Sequence, residues 1–187
     1  MMGTARLRSR AFTLIEAMVV LSLVGILAVL ATLAFRRWVH TAYLSEAQDM
    51  VNNIRAAEES FRSENGGYLS VSSGLGVGHD YPATTPGNFK TAWGGSCSGC
   101  VSGVQWSMIN VHSSAPLMFG YSVVASNTTA SSGYSLPLNG GTLAAANGMP
   151  APWYLIEADG DTNGDTVFTH VYGLSATNQI YIDNEGD

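Results

Sequence analysis

Residues 12–35 read FTLIEAMVVLSLVGILAVLATLAF. From Ala17 to Phe35 the run carries no charge. As an α-helix those residues would span about 28 Å, close to the ~30 Å hydrocarbon core of a bilayer. The preceding residues 1–11, MMGTARLRSRA, place Arg6, Arg8 and Arg10 ahead of the run, and Arg36 and Arg37 follow it. The excess of cations on the leading side favours a cytoplasmic N-terminus. A secretory signal would have a shorter apolar region, about 7–15 residues, ending in a small-x-small cleavage site. This run is longer, and Thr32-Leu33-Ala34 matches such a site poorly. One acid, Glu16, stands near the front. A carboxylate costs about 2.5–3.5 kcal/mol at the centre of a membrane helix and less at the interface. Either Glu16 lies among headgroups or another molecule supplies a cation.

The helical period continues past Phe35. Val39, Tyr43, Ala47, Met50, Ile54, Ala57 and Phe61 recur at steps of three or four, which places them on one helix face. Glu46, Asp49, Arg55, Glu58, Glu59 and Arg62 fall on the other faces. No proline precedes Pro82, and Asn65-Gly66-Gly67 is a helix stop. The pattern predicts one helix from Phe12 to about Glu64. Its first half is apolar all round and needs lipid or like helices; its second half is amphipathic and needs a folded layer. Gly25 permits close helix packing in a membrane.

The remainder has a different composition. Nineteen of the 21 glycines lie at or beyond Gly66, and only Asp80 and Lys90 are charged between Glu64 and Glu157. Over all 187 residues, 12% are charged and 46% are apolar. Those fractions exclude a highly charged disordered chain. Two cysteines cannot build a disulfide scaffold, and a net charge of −6 argues against nucleic acid as the main partner. Segments 104–111, 117–125, 153–158, 166–172 and 179–183 are rich in β-branched and aromatic residues. Ser131-Ser132-Gly133 and Asn139-Gly140-Gly141 act as breaks. Strands without intervening helices favour an antiparallel meander, one face of which packs on the 39–61 stripe. The fold class expected is α+β. It is divided into a leader (1–11), a membrane-length helix (12–35), its amphipathic continuation (36–65) and a β-rich head (66–187).

The run Ser9-Arg10-Ala11-Phe12-Thr13-Leu14-Ile15-Glu16, followed by the apolar span, resembles a type IV prepilin signal. The resemblance implies that a membrane peptidase cuts between Ala11 and Phe12 and then methylates the new Phe12 amine. Gly usually precedes the cut, and Ala11 departs from that pattern. It further implies that Glu16 of one subunit pairs with the Phe12 amine of a neighbour. A subunit out of register then leaves a buried charge unpaired. The implied architecture is a long helix, a connecting loop over about residues 67–103, and about four strands. The implied partners are copies of the chain or other pilins, the prepilin peptidase, an assembly platform with a separate ATPase, and the inner membrane. The implied location is single-pass in the inner membrane before assembly, and an extracellular pilus or periplasmic pseudopilus afterwards. Pilins, pseudopilins and competence pilins share this signal. Motility, adhesion, DNA uptake and type II protein secretion therefore stay open, as does a non-polymerising single-span protein with a periplasmic binding head.

Three constellations have chemical potential. In Asp159-Gly160-Asp161-Thr162-Asn163-Gly164-Asp165, alternate oxygens precede a glycine, as at the start of a Ca²⁺ loop. The Glu expected at the twelfth position is His170, so Asp159, Asp161, Asn163 and Asp165 would need further oxygens from the backbone, Asp183 or Glu185. The alternative is a tight Asx-rich turn. Cys97-Ser98-Gly99-Cys100 reads as a short disulfide in a head outside the cytoplasm. It lacks the helix-start context of a redox motif and the His of a haem attachment site. Zinc shared with His79 or His112 lacks a second ligand pair of proper spacing. His40, His79, His112 and His170 have no nucleophile setting, and His112 and His170 read as sheet residues. No catalytic residues are expected, and no enzyme. Asn127-Thr128-Thr129 matches a glycosylation acceptor pattern once.

Overall fold

The computed structural model describes residues 12–129, 134–138, 141–145 and 149–185; the leader with Ala11 lies outside them. Helix α1 (Leu14–Asn65) is continuous over 52 residues. Gly66, at φ 79°, ends it in the left-handed conformation, and its N–H donates to the Arg62 carbonyl at 2.8 Å. The chain divides into two compact units, Met1–His40 and Thr41–Asp187. In the first unit the large apolar side chains of α1, from Leu14 to Trp38, are exposed. By length and composition this helix is long and apolar enough to cross a membrane.

In the second unit α1 buries Leu44, Ala47, Met50, Val51, Ile54 and Glu58. Tyr43, Ala57 and Phe61 are half-buried against the same core. The buried stripe is thus rotated part of a turn from the one read in the sequence. Glu58, expected on an outer face, is fully buried. Its Oε2 accepts the Leu69 N–H at 3.0 Å, which satisfies a backbone donor of the chain leaving the helix. Two other outer charges also reach the head. Glu46 accepts from Met118 N at 2.8 Å and from Lys90 Nζ at 2.6 Å. Arg55 donates to the Thr177 carbonyl at 2.7 Å.

Four strands form one antiparallel sheet in the order β1 (Gly120–Ser126), β4 (Trp153–Gly160), β5 (Thr169–Leu174), β6 (Ile180–Asp183). Alternation along the strands gives the sheet two faces. Tyr121, Val123, Ile156, Ala158 and Val171 join the core against α1. The opposite face carries Trp153, Leu155, Tyr172 and Leu174, packed with Leu136. It also carries Ser122, Glu157, Asp159 and His170, as the register Ser122↔Glu157 and Asp159↔His170 requires. Every residue of β4 is buried.

Three expectations are corrected here. A separate hairpin, β2 (Tyr134–Leu138) with β3 (Gly141–Ala145), occupies a stretch to which no strand was assigned. Segment 104–111 is not a strand. It contains a single 3-10 turn, Trp106–Ile109, with Trp106 and Ile109 buried and Met108 exposed, because residues three apart eclipse in that turn. The connection expected to end at Gly103 runs to Phe119. It contributes Val71, Tyr81, Trp106, Val111 and Phe119 to the core, and the isolated bridges Ser72–Cys100, Tyr81–Tyr121 and Thr91–Leu117 tie it down.

The buried Glu58 makes stability depend on pH. Burial pushes its carboxyl up to about 7 from 4.5, against the opposing effect of the Leu69 hydrogen bond. A raised carboxyl favours the protonated folded chain. The contribution is fully present below pH 4.5 and is lost as pH rises through 7, by roughly 3 kcal/mol in total. Glu58→Gln keeps an acceptor for Leu69 and removes the titration. Urea midpoints at pH 5 and pH 8 should differ less in the variant than in the parent; an equal difference would refute the assignment.

Candidate functional site

Phe12, 82% exposed, and Thr13 precede the first turn of α1. Thr13 donates to Glu16 Oε2 twice, from its N–H at 3.0 Å and from Oγ1 at 2.9 Å. The Glu16 N–H returns a bond to Thr13 Oγ1 at 3.3 Å. This is a capping box, in which the N-cap hydroxyl and the acid three residues on satisfy each other's backbone donors. The sequence reading weighed only headgroups or a neighbour's cation for Glu16; the Thr-x-x-Glu spacing was the signal for the local role. The box holds a carboxylate in the first turn, four positions after Phe12, at the head of an exposed apolar surface.

The Asp-rich segment divides into two environments. Asp161 Oδ1 accepts from the N–H groups of Gly164 (2.7 Å) and Asp165 (3.2 Å), and its Oδ2 accepts from Thr166 N at 3.1 Å. Asn163 Oδ1 accepts from Asp165 N at 2.9 Å, and Asp165 Oδ1 accepts from Val167 N at 2.8 Å. These are the bonds of an Asx-rich turn. Asp159 is apart from the turn. It lies in β4, and its Oδ1 is 2.5 Å from His170 Nδ1.

His170 also lies 3.3 Å from Glu157 Oε1. Its own burial opposes protonation, but the hydrogen bonds and charges of Asp159 and Glu157 outweigh that and raise it to about 10. Asp80, from the connection, is fully buried over the same face. Burial, with the charges of Asp159 and Glu157 beside it, pushes its carboxyl up to about 9. Burial also raises Glu157, partly offset by His170. The sequence offered no signal for this gathering of Asp80 with Glu157, Asp159 and His170.

Cys97 and Cys100 are joined to each other, with Cα atoms 5.3 Å apart. Their loop is stitched to the segment after the helix by Ser73 N to Gly99 O (2.9 Å) and Val101 N to Val71 O (2.8 Å). Gly99 is required there, because a Cβ would fall 2.5 Å from the His79 carbonyl carbon. His79 Nδ1 is hydrogen-bonded to Ser73 Oγ at 3.0 Å. His112 is exposed in the connection rather than in a strand, which corrects its reading as a sheet residue.

No curated protein and no solved structure matches the chain. Residues 6–32 match the family described as the prokaryotic N-terminal methylation motif. That match covers the three arginines of the leader, Ala11, Phe12, the capping box and most of the apolar run. This α+β chain of pilin-like architecture therefore carries the hallmark signal of type IV prepilins, shared by pilins and pseudopilins.

Proposed function

We propose that the chain is a structural, non-enzymatic subunit of a type IV pilus-like filament. The motif implies, in general, prepilin peptidase processing and polymerisation with other pilins, and with the apolar helix it fits membrane anchoring before assembly. On the present reading, cleavage falls between Ala11 and Phe12, Phe12 is methylated, and the first half of α1 passes from the inner membrane into a bundle of like helices. A separate ATPase drives the transfer. Glu16 pairs with the Phe12 amine of a neighbour and sets the register. The observation that supports this reading best is the exposed apolar length of α1 with one carboxylate held at its front. The large head and long connection favour a surface pilus serving motility, adhesion or DNA uptake. The Asp-rich turn favours a second reading, a pseudopilin of type II secretion.

Mass spectrometry of the protein purified from membranes tests the reading. The expected N-terminus is methylated Phe12. A chain still starting at Met1 would overturn the proposal and leave a single-span membrane protein. Electron microscopy separates the two assembled forms, long surface fibres indicating a pilus and their absence a periplasmic pseudopilus.

A further inference from the structure

We propose that Glu157, Asp159, His170 and Asp80 form a binding site for one divalent transition-metal cation of the Zn²⁺ type, which clamps β4, β5 and the 66–119 connection together. Strand geometry builds three of the ligands. Glu157 and Asp159 are two apart on β4 and share a face, and His170 lies directly opposite Asp159 on β5. One ligating atom from each of the three lies within 4.8 Å of the other two. Small outward shifts would let them share an ion at the 2.0–2.2 Å typical of nitrogen and oxygen ligands to zinc.

Asp80 supplies the independent observation. It is 0% exposed, it faces Asp159, Glu157 and Ser122, and neither of its carboxyl oxygens is held by a hydrogen bond of good geometry. Asp159 Oδ2 is likewise without a partner. Buried acids left this way are costly unless a proton or a cation compensates them. Among the described residues, Glu157 and Asp159 form ion pairs with His170 alone, so three carboxylates face one imidazole. Asp183, opposite His170 on β6, adds a further acid nearby.

The site is mostly buried, with His170 partly exposed. Gly76, at φ 80°, passes beside it: a Cβ there would lie in ordinary contact, 3.7 Å from Glu157 Oε2 and 3.9 Å from Asp159 Oδ2. A set of one imidazole and three carboxylates suits a transition-metal ion of this type. Ca²⁺ prefers six to eight oxygens and does not call for an imidazole. The site is therefore distinct in chemistry from a Ca²⁺ loop at residues 161–165.

The test uses the full chain purified in detergent, stripped with chelator and titrated with zinc sulfate by calorimetry. Wild type should bind one equivalent that His170→Gln loses, with Ca²⁺ unable to displace it. Asp80→Asn should weaken binding about 10–100-fold. Saturation at a hundredfold excess over Kd should raise the Tm of the wild type by roughly 5–10 °C. Asp80→Asn is shaped like the protonated acid, so it preserves the fold while withdrawing a ligand. X-ray absorption of the zinc-loaded wild type needs no variant and should report one imidazole among oxygen ligands. The proposal is overturned by failure to bind zinc, which would mean that protons hold the cluster, or by binding unchanged in both variants. A zinc shell containing sulfur or several imidazoles would also overturn it.

Discussion

Glu16→Val should leave the protein in the membrane and abolish filaments. The substitution removes two interactions of different size. The first is the capping box with Thr13, worth about 1 kcal/mol to the end of the helix. That loss frays one turn, but the uncharged run from Ala17 onward still has membrane length. The second is the proposed pair with a neighbour's Phe12 amine. Leaving a buried charge without its partner costs about 3–5 kcal/mol, which is a factor of roughly 10²–10⁴ at every subunit addition. Glu16→Gln separates the two, since Gln serves equally in a capping box but carries no charge. Both variants should fractionate with the membrane at wild-type levels and give cells bare of fibres by electron microscopy. Fibres at wild-type abundance in Glu16→Gln would reduce Glu16 to a helix cap.

The helix was the most legible element because its signals are local. A proline-free run and Asn65-Gly66-Gly67 bounded it, and the structure ends it at Asn65. Its exact inner face was less legible, since a stripe of step three or four tolerates rotation by part of a turn. Glu58 shows why. Its burial depends on the Leu69 N–H, a donor eleven residues away with no pattern to announce it. The hairpin of β2 and β3 was missed although Asn139-Gly140 between two short runs is a strong hairpin signal; the same residues were taken only as a break.

Only one face of the sheet was given a partner from the sequence, and the other face holds the acid cluster. An antiparallel meander open to solvent would leave Glu157 and Asp159 wet, and their alternation along β4 would need no explanation. In the structure the 66–119 connection and β2 cover that face, so β4 is buried on both sides. Asp80 then meets residues 77 and 79 positions away in sequence. No local spacing encodes such a meeting. Conversely, the run 159–165 looked like one unit because its oxygens alternate. Strand geometry sends Asp159 across to His170, while Asp161, Asn163 and Asp165 close the turn.

Gly173→Val should unfold the second unit at markedly lower temperature, because α1 crosses β5 at this glycine. A Cβ built on Gly173 would fall 2.8 Å from Val51 Cγ1, 3.4 Å from Arg55 Cδ and 3.6 Å from Ile156 Cδ1. The first distance is shorter than carbon atoms tolerate, and Val51 is fully buried. A branched side chain therefore pushes α1 away from the sheet, and the displacement spreads to Ile54 and Ala47 on the same buried stripe. Overpacking of this kind costs about 1–3 kcal/mol, occasionally more, or roughly 2–12 °C in Tm for a chain of this size. The intrinsic preference of valine for strands works in the opposite direction and is smaller, below about 1 kcal/mol. The cause can be isolated with Val51→Ala, which deletes the colliding methyl groups. Alone it leaves a cavity and costs about 1–2 kcal/mol. Combined with Gly173→Val it should recover stability, giving a coupling of at least about 1 kcal/mol in a double-mutant cycle. Strictly additive losses would mean that the helix and the sheet do not meet at these two residues.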